Sequence, residues 1–458
     1  MGNDTPEVRQ LSSFIDGPSG VVGDLVRPLT DRIPDPLRRG RVPDDLESIT
    51  TVRAGAEVDP TEAGMAPDGP ERIWRAVERV YRHGVHPAIA LCVRRNGKVV
   101  LDRAIGHVSG NGPGDPVDGP KVVATPDTPF VLASASKAVT AMLVHLADQR
   151  GLLHVDNPVA EYIPEFAAHG KGAITIAHVL SHRAGVPTLR REVLDIDRMM
   201  DRDFVLATMC EATPQWRPGR VVAYHAVSGG FVLAEVLQRV TGMSIRDFLG
   251  TNVCAPLGMR WGNYGVPAAD LDLVARNYAT GLPTPPPLSN LFERALGLPL
   301  DEVTAVLNDA RFLTGVAPSA NVVATADDHC RFYELLLTGG EFDGARVFEP
   351  TTVRRAIAEK SWIDVDLTLG LPLRYSLGFM LGRRVLSWYG PNTEYVFGHN
   401  GFTNILGWAD PQRRVSAALL TSGTPVISTH VLDFLAVPRE IAHQSPADGL
   451  EDSPLYRF

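Results

Sequence analysis

The chain has 458 residues, of which 44% are hydrophobic, and its formal net charge is −9 at pH 7. This length and composition predict a globular protein of roughly two or three structural units, and the acidic balance disfavours nucleic acid as a partner because no basic face is evident. The four cysteines are widely spaced and form no CxxC pair. They therefore predict reduced core residues, and neither a disulfide framework nor a metal site.

Residues 1–70 are rich in Pro, Gly, Asp and Arg and predict an N-terminal extension that wraps the surface. One mildly amphipathic piece, near 21–33, is a candidate for peripheral membrane contact. The chain shows no charged start followed by an apolar run, and no apolar stretch approaches about 18 residues, so neither a signal peptide nor a transmembrane span is expected. The expected location is the cytoplasm.

A helix and an antiparallel pair of strands are predicted next. Apolar residues recur at helical spacing from residue 71 and stop at Gly84, and two β-like segments flank the turn signal Asn96-Gly97. From 137 to about 310 the pattern is mainly helical, and residues 280–290 form a Pro-rich loop. After 315 one helix is followed by several β-like segments and by a helical piece at 431–443.

Strands early and late in the chain, with helices between them, predict one sheet assembled from both ends and an inserted helical domain. The expected division is an extension at 1–70, a discontinuous α/β sheet domain at 71–140 and 315–445, a mainly helical domain at 141–314 and a C-terminal tail at 446–458. Active sites favour the junction between such domains.

The stretch ASASKAVT, residues 133–140, places Ser134 three residues before Lys137, although only five of the 44 basic residues are lysines. If a helix begins near Ser134, both side chains lie on one face, with the serine at the positive end of the helix dipole. Burial would lower the pKa of Lys137 and make it a base for the hydroxyl, a role closed to arginine. The alternative is a helix cap and a surface lysine, and the spacing alone does not decide.

The SxxK stretch resembles the first motif of the serine β-lactamase and penicillin-binding-protein superfamily. The agreement continues in chain order through a helix and turn, a second-motif tyrosine, a late helix, a strand and a third motif, at 174–187, 216–242, 315–340, 375–379 and 398–412. The resemblance covers about 71 to 440. It implies an α+β fold, an α/β/α sandwich with an antiparallel sheet flanked by helices and an inserted all-helical domain.

The resemblance also implies roles for individual residues. Tyr224 occupies the second-motif tyrosine, where a phenol near a lysine ammonium ionises more easily, relays the serine's proton and hands it to the leaving group. The backbone N–H groups of Ser134 and Phe402 correspond to an oxyanion hole. Gly398 and Gly401 fit a strand edge that the substrate approaches closely.

Two departures from the lactamase pattern carry information. The tripeptide Tyr-His-Ala at 224–226 stands where the lactamases have Tyr-x-Asn, so the amide that contacts a lactam side chain is missing. His399-Asn400-Gly401 stands where they have Lys-Thr-Gly, and a largely neutral histidine replaces the cation that binds the antibiotic carboxylate. His-x-Gly resembles the esterase branch, the family VIII carboxylesterases and related lipases. His399 is expected to polarise the site or to contact the acyl-enzyme.

Other motifs are weak. The chain has no GxSxG nucleophile elbow, which weighs against an α/β-hydrolase, and no HExxH. His178 and His182 lie four apart on one predicted helix, where a structural role is favoured over metal binding.

The sequence therefore predicts a serine ester hydrolase. Ser134 would attack the ester carbonyl, Lys137 and Tyr224 would serve as base and proton relay, and water would release the acid. The expected substrate is a small-molecule or lipid ester, with no cofactor, no metal and no nucleic-acid partner, and the oligomeric state stays open. The alternatives are a β-lactamase or D-Ala-D-Ala peptidase, and a non-catalytic binding protein that kept the fold.

Overall fold

The computed structural model describes residues 37–188, 191–361, 364–402, 404–426 and 428–457. The amphipathic piece near 21–33 lies outside these described residues. Within them, no helix combines the length and the apolar character needed to cross a membrane.

The described α-helices are α1 (Gly69–Arg82), α2 (Ser136–Gln149), α3 (Val159–Tyr162), α4 (Ile176–Leu180), α5 (Ile196–Met199), α6 (Arg202–Glu211), α7 (Ser228–Thr241), α8 (Ile245–Leu249), α9 (Leu288–Leu296), α10 (Leu300–Leu307), α11 (Ala310–Thr314), α12 (Ala326–Leu337), α13 (Pro350–Ile357) and α14 (Val431–Gln444). The described strands are β1 (Thr50–Val52), β2 (Ala88–Arg95), β3 (Lys98–Ser109), β4 (Val122–Val123), β5 (Phe130–Val131), β6 (Asn263–Tyr264), β7 (Val322–Ala324), β8 (Glu341–Phe342), β9 (Ala345–Arg346), β10 (Val365–Asp366), β11 (Leu371–Pro372), β12 (Met380–Leu381), β13 (Phe397–Gly401), β14 (Ile405–Asp410) and β15 (Val415–Thr421).

The main sheet has the strand order β1-β3-β2-β15-β14-β13-β12, with β4 paired to β3. Strands β2 and β3 form the hairpin predicted around Asn96-Gly97. At the centre of the sheet β2 pairs antiparallel with β15, from Val415 opposite Arg95 to Thr421 opposite Ile89. The sheet is thus built from both ends of the chain, which confirms the predicted fold.

Helices cover both faces of this sheet. Every residue of β2 is buried, and its side chains alternate between two hydrophobic clusters because successive residues of a strand point to opposite faces. Ile89, Leu91 and Val93 join the cluster that contains α1 and α14, whereas Ala88 and Ala90 join the cluster that contains α2 and α12. The small alanines let the second helical layer approach closely, and the result is an α/β/α sandwich.

The N-terminal segment and the C-terminal tail both contribute to this core. Strand β1 pairs with β3, and Leu46 and Met65 are buried in the same cluster as α1. In the tail, Leu455 is buried in the other cluster, and Asp448 forms an ion pair with Arg95. Apolar residues scattered among Pro, Gly and Asp show no periodicity, so the sequence pattern alone did not reveal this packing.

The middle of the chain is mainly helical, as the pattern indicated, and it also contains strand β6. This strand pairs with β7, which in turn pairs with β5, in a separate three-stranded sheet. The segment predicted as a Pro-rich loop at 280–290 is irregular only as far as Pro287. Helix α9 begins at Leu288, and α9 and α10 follow one another beside the SxxK turn.

Candidate active site

Ser134 lies in a 3₁₀ turn, Ala133–Ala135, that leads directly into α2. Ala133 has a φ of 45°, in the left-handed region that non-glycine residues rarely adopt, and such strain is typical of functional turns. The second serine of the motif, Ser136, is fully buried and its Oγ accepts a hydrogen bond from the Val322 N–H at 3.0 Å. Ser136 therefore anchors α2 to β7, whereas Ser134 lines a cavity.

Lys137 lies in the first turn of α2 with its Nζ atom 3.3 Å from Ser134 Oγ. The Nζ atom also donates to the backbone oxygens of Ala226 at 2.7 Å and Ser319 at 3.1 Å. A neutral amine has two hydrogens and one lone pair. Because the two carbonyls engage both hydrogens, the lone pair is left for the hydroxyl of Ser134.

Burial lowers the pKa of Lys137 from its usual value to about 7. Among the described residues no carboxylate forms an ion pair with Lys137, so no neighbouring negative charge opposes this effect. A large share of the side chain is thus unprotonated near neutral pH. Lysine fits the requirement for a general base at this position, and arginine does not.

Tyr224 lies in the segment that enters α7, and its side chain lines the same cavity as Ser134. Lys137 Nζ lies 4.9 Å from the centre of its ring. The expectation that the lysine makes this phenol ionise more easily is wrong. Burial raises the pKa of Tyr224 well above 10, and the nearby Ser134 hydroxyl offsets only part of this increase. This shift favours the protonated phenol at neutral pH.

Asp366 and Tyr375 fix the position of Tyr224, and neither residue was predicted to belong to the site. Oδ1 of the buried Asp366 accepts the Tyr224 backbone N–H at 3.1 Å, and Oδ2 accepts the Tyr375 hydroxyl at 2.9 Å. The ring of His182 lies 4.6 Å from the Tyr224 ring and 4.9 Å from the Tyr375 ring. His182 therefore packs against the predicted relay residue.

His399 lies on β13 and is buried. Its Nδ1 is 2.8 Å from the Asn400 backbone oxygen, and its ring centre is 6.4 Å from that of Tyr224. Burial and the neighbouring Lys137 lower the pKa of His399 to about 3. His399 is therefore neutral at pH 7, and supplies no cation for a carboxylate.

The end of β13 lies against the turn that carries Ser134. A Cβ atom added to Gly401 would lie 2.5 Å from the Leu132 oxygen, and one added to Gly398 would lie 2.3 Å from the Gly407 oxygen. The chain's own backbone therefore requires glycine at both positions, and the close approach of a substrate there stays a prediction. The close approach of β13 to this turn places Phe402 and Ser134 along the same cavity.

That cavity, of about 390 Å³, is the main opening to Ser134. We call it the entrance cavity. It is bounded by α9, the β10–β11 hairpin, the end of β13, the start of β14 and the start of α14. The predicted site residues that line it are Ser134, Tyr224, Asn400, Gly401 and Phe402. The remaining lining is largely apolar, and Leu371, Trp388 and Val431 are also exposed at the surface. No Lys or Arg stands among the described residues that line it.

The described residues hold one cluster with metal-ligand chemistry, formed by Cys92, Asp102 and Asp327. Both carboxylates already form ion pairs, Asp102 with Arg53 and Asp327 with Arg94. These cations compensate the buried charges, and the cluster lies between the sheet and α12, outside the entrance cavity. The residues fit an ion-pair network and not a metal site.

The fold and the site are those of a hydrolase of the esterase/β-lactamase fold. The family model described as Beta-lactamase matches residues 75–437. The chain belongs to this family, within the superfamily of serine β-lactamases and penicillin-binding proteins.

Individual relatives agree with this membership. The chain is 30% identical over 332 residues to the esterase/beta-lactamase LipL of Mycobacterium tuberculosis, covering 68% of this chain and 73% of LipL. A penicillin-binding-protein homologue from Caulobacter crescentus has a TM-score of 0.71 at 28% identity, covering 83% of this chain and 99% of its own. A family VIII carboxylesterase has a TM-score of 0.70 at 26% identity, covering 82% and 97%.

Proposed function

We propose that the protein is a serine carboxylesterase that cleaves apolar carboxylic esters, lipid esters included, through an acyl-enzyme on Ser134. One observation carries the proposal. A lysine whose pKa is lowered to about 7 lies with its Nζ atom 3.3 Å from Ser134 Oγ, at the base of an apolar cavity.

In the first half-reaction, neutral Lys137 removes the proton of the Ser134 hydroxyl while the Oγ forms a bond to the ester carbonyl carbon. The backbone N–H groups of Ser134 and Phe402 stabilise the resulting oxyanion. When the carbon–oxygen bond breaks, Tyr224 gives its proton to the departing alkoxide and regains one from the Lys137 ammonium. The alcohol leaves, and the acyl group stays on Ser134.

In the second half-reaction, water replaces the alcohol. Its proton passes to Lys137, directly or through Tyr224, while its oxygen attacks the acyl carbon. The oxyanion collapses, the Ser134–acyl bond breaks, and Ser134 Oγ regains the proton. The carboxylic acid is released and every group returns to its starting state.

The lining of the entrance cavity favours an ester over a lactam. Among the described lining residues none is a cation, and His399 beneath them is neutral because its pKa is about 3. A β-lactam carboxylate would lose hydration there without gaining an ion pair. The name of one structural relative, a family VIII carboxylesterase, supports the same preference, whereas the name of LipL covers both activities.

The cavity mouth supports a water-insoluble substrate. Leu371, Trp388 and Val431 line the cavity and are exposed at the surface, and Leu386 and Leu432, near Trp388 and Val431 in sequence, are 94% and 80% exposed. Exposed apolar side chains in a group are typical of a surface that meets lipid. Peripheral membrane contact and a cytoplasmic location both stay predictions.

Ser134→Ala tests the proposal directly. We expect the variant to lose turnover of p-nitrophenyl acyl esters and labelling by a fluorophosphonate probe, while its circular dichroism stays that of the native protein. Ser48→Ala, at an exposed serine, is the matched control and retains both signals. Retained turnover in Ser134→Ala would exclude Ser134 as the nucleophile. Absent labelling of the native chain would favour a non-catalytic binding protein, and cephalosporin hydrolysis above ester turnover would favour a β-lactamase.

A further inference from the structure

A second, smaller cavity also reaches Ser134. It measures about 80 Å³ and lies between α5, α7, α10 and α11 on the helical side of the nucleophile. Its lining is almost wholly apolar and includes Ala226, Met199 and Phe231. Leu296 and Phe402 line both this cavity and the entrance cavity, so they stand between the two.

The position of Tyr224 assigns the two halves of an ester to the two cavities, an assignment that rests on the proposed function. Tyr224 lines the entrance cavity and not the smaller one, whereas Ala226 lines the smaller one. The proton donor must lie within hydrogen-bond reach of the leaving oxygen. The alcohol therefore departs through the entrance cavity, and the acyl group occupies the smaller cavity, which we call the acyl cavity.

A third cavity, of about 300 Å³, lies behind the acyl cavity, and we call it the rear cavity. Met199 and Phe231 line both of them. The segment 315–319 also runs between them, because Val316 and Pro318 line the rear cavity and Ala317 lines the acyl cavity. Two side chains and one strip of backbone thus separate the acyl cavity from a larger apolar space.

The packing of Phe231 also places it between two regions. It lies on α7 and is only partly buried. It packs against the hydrophobic cluster that contains α2 and α12, and against a separate cluster beside the active site. Met199 is buried in the second of these clusters. We call Phe231 and Met199 the partition between the acyl cavity and the rear cavity. A methionine side chain has three rotatable bonds and adapts to irregular space, so the Phe231 ring is the more rigid part of this partition.

We propose that Phe231 and Met199 form the closed end of the acyl cavity and set the length of acyl chain that the protein accepts. An apolar cavity of about 150 Å³ holds one benzene molecule, and the acyl cavity has about half that space. The native protein therefore takes short acyl groups, and the apolar bulk of a lipid ester would lie on the alcohol side, in the larger entrance cavity. Removal of the partition joins the acyl cavity to the rear cavity and admits longer chains.

Phe231→Ala is the test, with kcat/KM measured for p-nitrophenyl acetate, butyrate, octanoate and decanoate. Each methylene that enters an apolar pocket changes discrimination by about tenfold or more, so the octanoate-to-butyrate ratio of kcat/KM should rise by at least about tenfold. Met199→Ala should raise the same ratio. Met199→Ala also tests the proposal if Phe231→Ala does not fold.

Leu206→Ala is the matched control, because Leu206 lines the rear cavity alone and the change enlarges that cavity without opening the partition. Its chain-length profile should equal that of the native protein. An unchanged octanoate-to-butyrate ratio in active, folded Phe231→Ala and Met199→Ala would overturn the inference and leave the proposed function intact. If the native chain hydrolyses no ester, the proposed function fails first.

Discussion

Lys137 Nζ donates a 2.7 Å hydrogen bond to the backbone oxygen of Ala226, the residue that replaces the motif asparagine of the lactamases. The contact that orients the lysine is thus made by the main chain at this position, and it survives any change of side chain. The short methyl group of Ala226 lines the acyl cavity instead. The sequence departure therefore leaves the base in place and alters the space available to the substrate.

Lys137→Arg should lower kcat by about 10²- to 10⁴-fold, because a guanidinium keeps its charge but cannot accept the proton of Ser134. Steady-state hydrolysis of p-nitrophenyl butyrate measures the loss. Lys98→Arg is the control, at a half-exposed lysine paired with Glu62 far from the cavity, and it should match the native rate. A Lys137→Arg variant with native kcat would remove Lys137 as the base.

The kcat/KM of the native protein should fall as pH drops through about 7. The pKa of Lys137 is lowered to about 7, so the amine is the active form above this value and becomes an inactive ammonium below it. His225 and His399 have pKa values lowered to about 3 by burial, and they stay neutral over the assay range. A profile from pH 5 to 9 should show one acid limb, and His399→Gln should leave its midpoint in place. A shifted midpoint would assign the limb to the histidine.

Tyr224→Phe should lower kcat by about 10²-fold or more, with little change in KM, because it removes the proton donor for the leaving alcohol. The hydroxyl has no hydrogen-bond partner at normal geometry among the described residues, so the melting temperature should change little. Tyr81→Phe is the control, at a buried tyrosine of α1 outside the cavity. The prediction fails if esters with a good leaving group, such as p-nitrophenol, and esters of simple alcohols lose the same factor. The good leaving group needs the proton less.

Asp366→Ala should lower both the stability of the protein and its kcat. The change leaves the Tyr224 N–H and the Tyr375 hydroxyl without their acceptor, and losing hydrogen bonds to a buried charged group costs about 3 kcal/mol of unfolding free energy. Urea unfolding measures this loss. Asp366→Asn keeps one acceptor oxygen, and should recover most of the stability and of kcat. Equal losses in the two variants would contradict a positioning role.

The sequence anticipated the parts of the site that local pattern encodes. The apolar run after Lys137 predicted a buried lysine, and the turn signal Asn96-Gly97 predicted the first hairpin. It did not anticipate the protonated state of Tyr224, because the balance between burial and nearby charge depends on how many atoms surround the phenol in three dimensions. The prediction from the motif had considered only the charge of the nearby lysine.

Residues that act through long-range packing were also missed. Asp366 carries no local signature, because its role appears only when the segments at 222–227 and 364–375 lie side by side. The spacing of His178 and His182 did not indicate that His182 packs against Tyr224. The prolines before Leu288 concealed helix α9, and with it one wall of the entrance cavity. Cavity shape arises from elements distant in sequence, so periodicity within one element does not report it.

The pairing of β2 with β15 joins residues 88–95 to residues 415–421, and it has a consequence for biosynthesis. The ribosome releases the SxxK helix long before it releases the last strands, and until then β2 has one open edge that invites aggregation. Such distant pairings close slowly because the intervening loop is long. Ser134 therefore meets Phe402 only after most of the chain has been translated, and the proposed oxyanion hole cannot form before that moment.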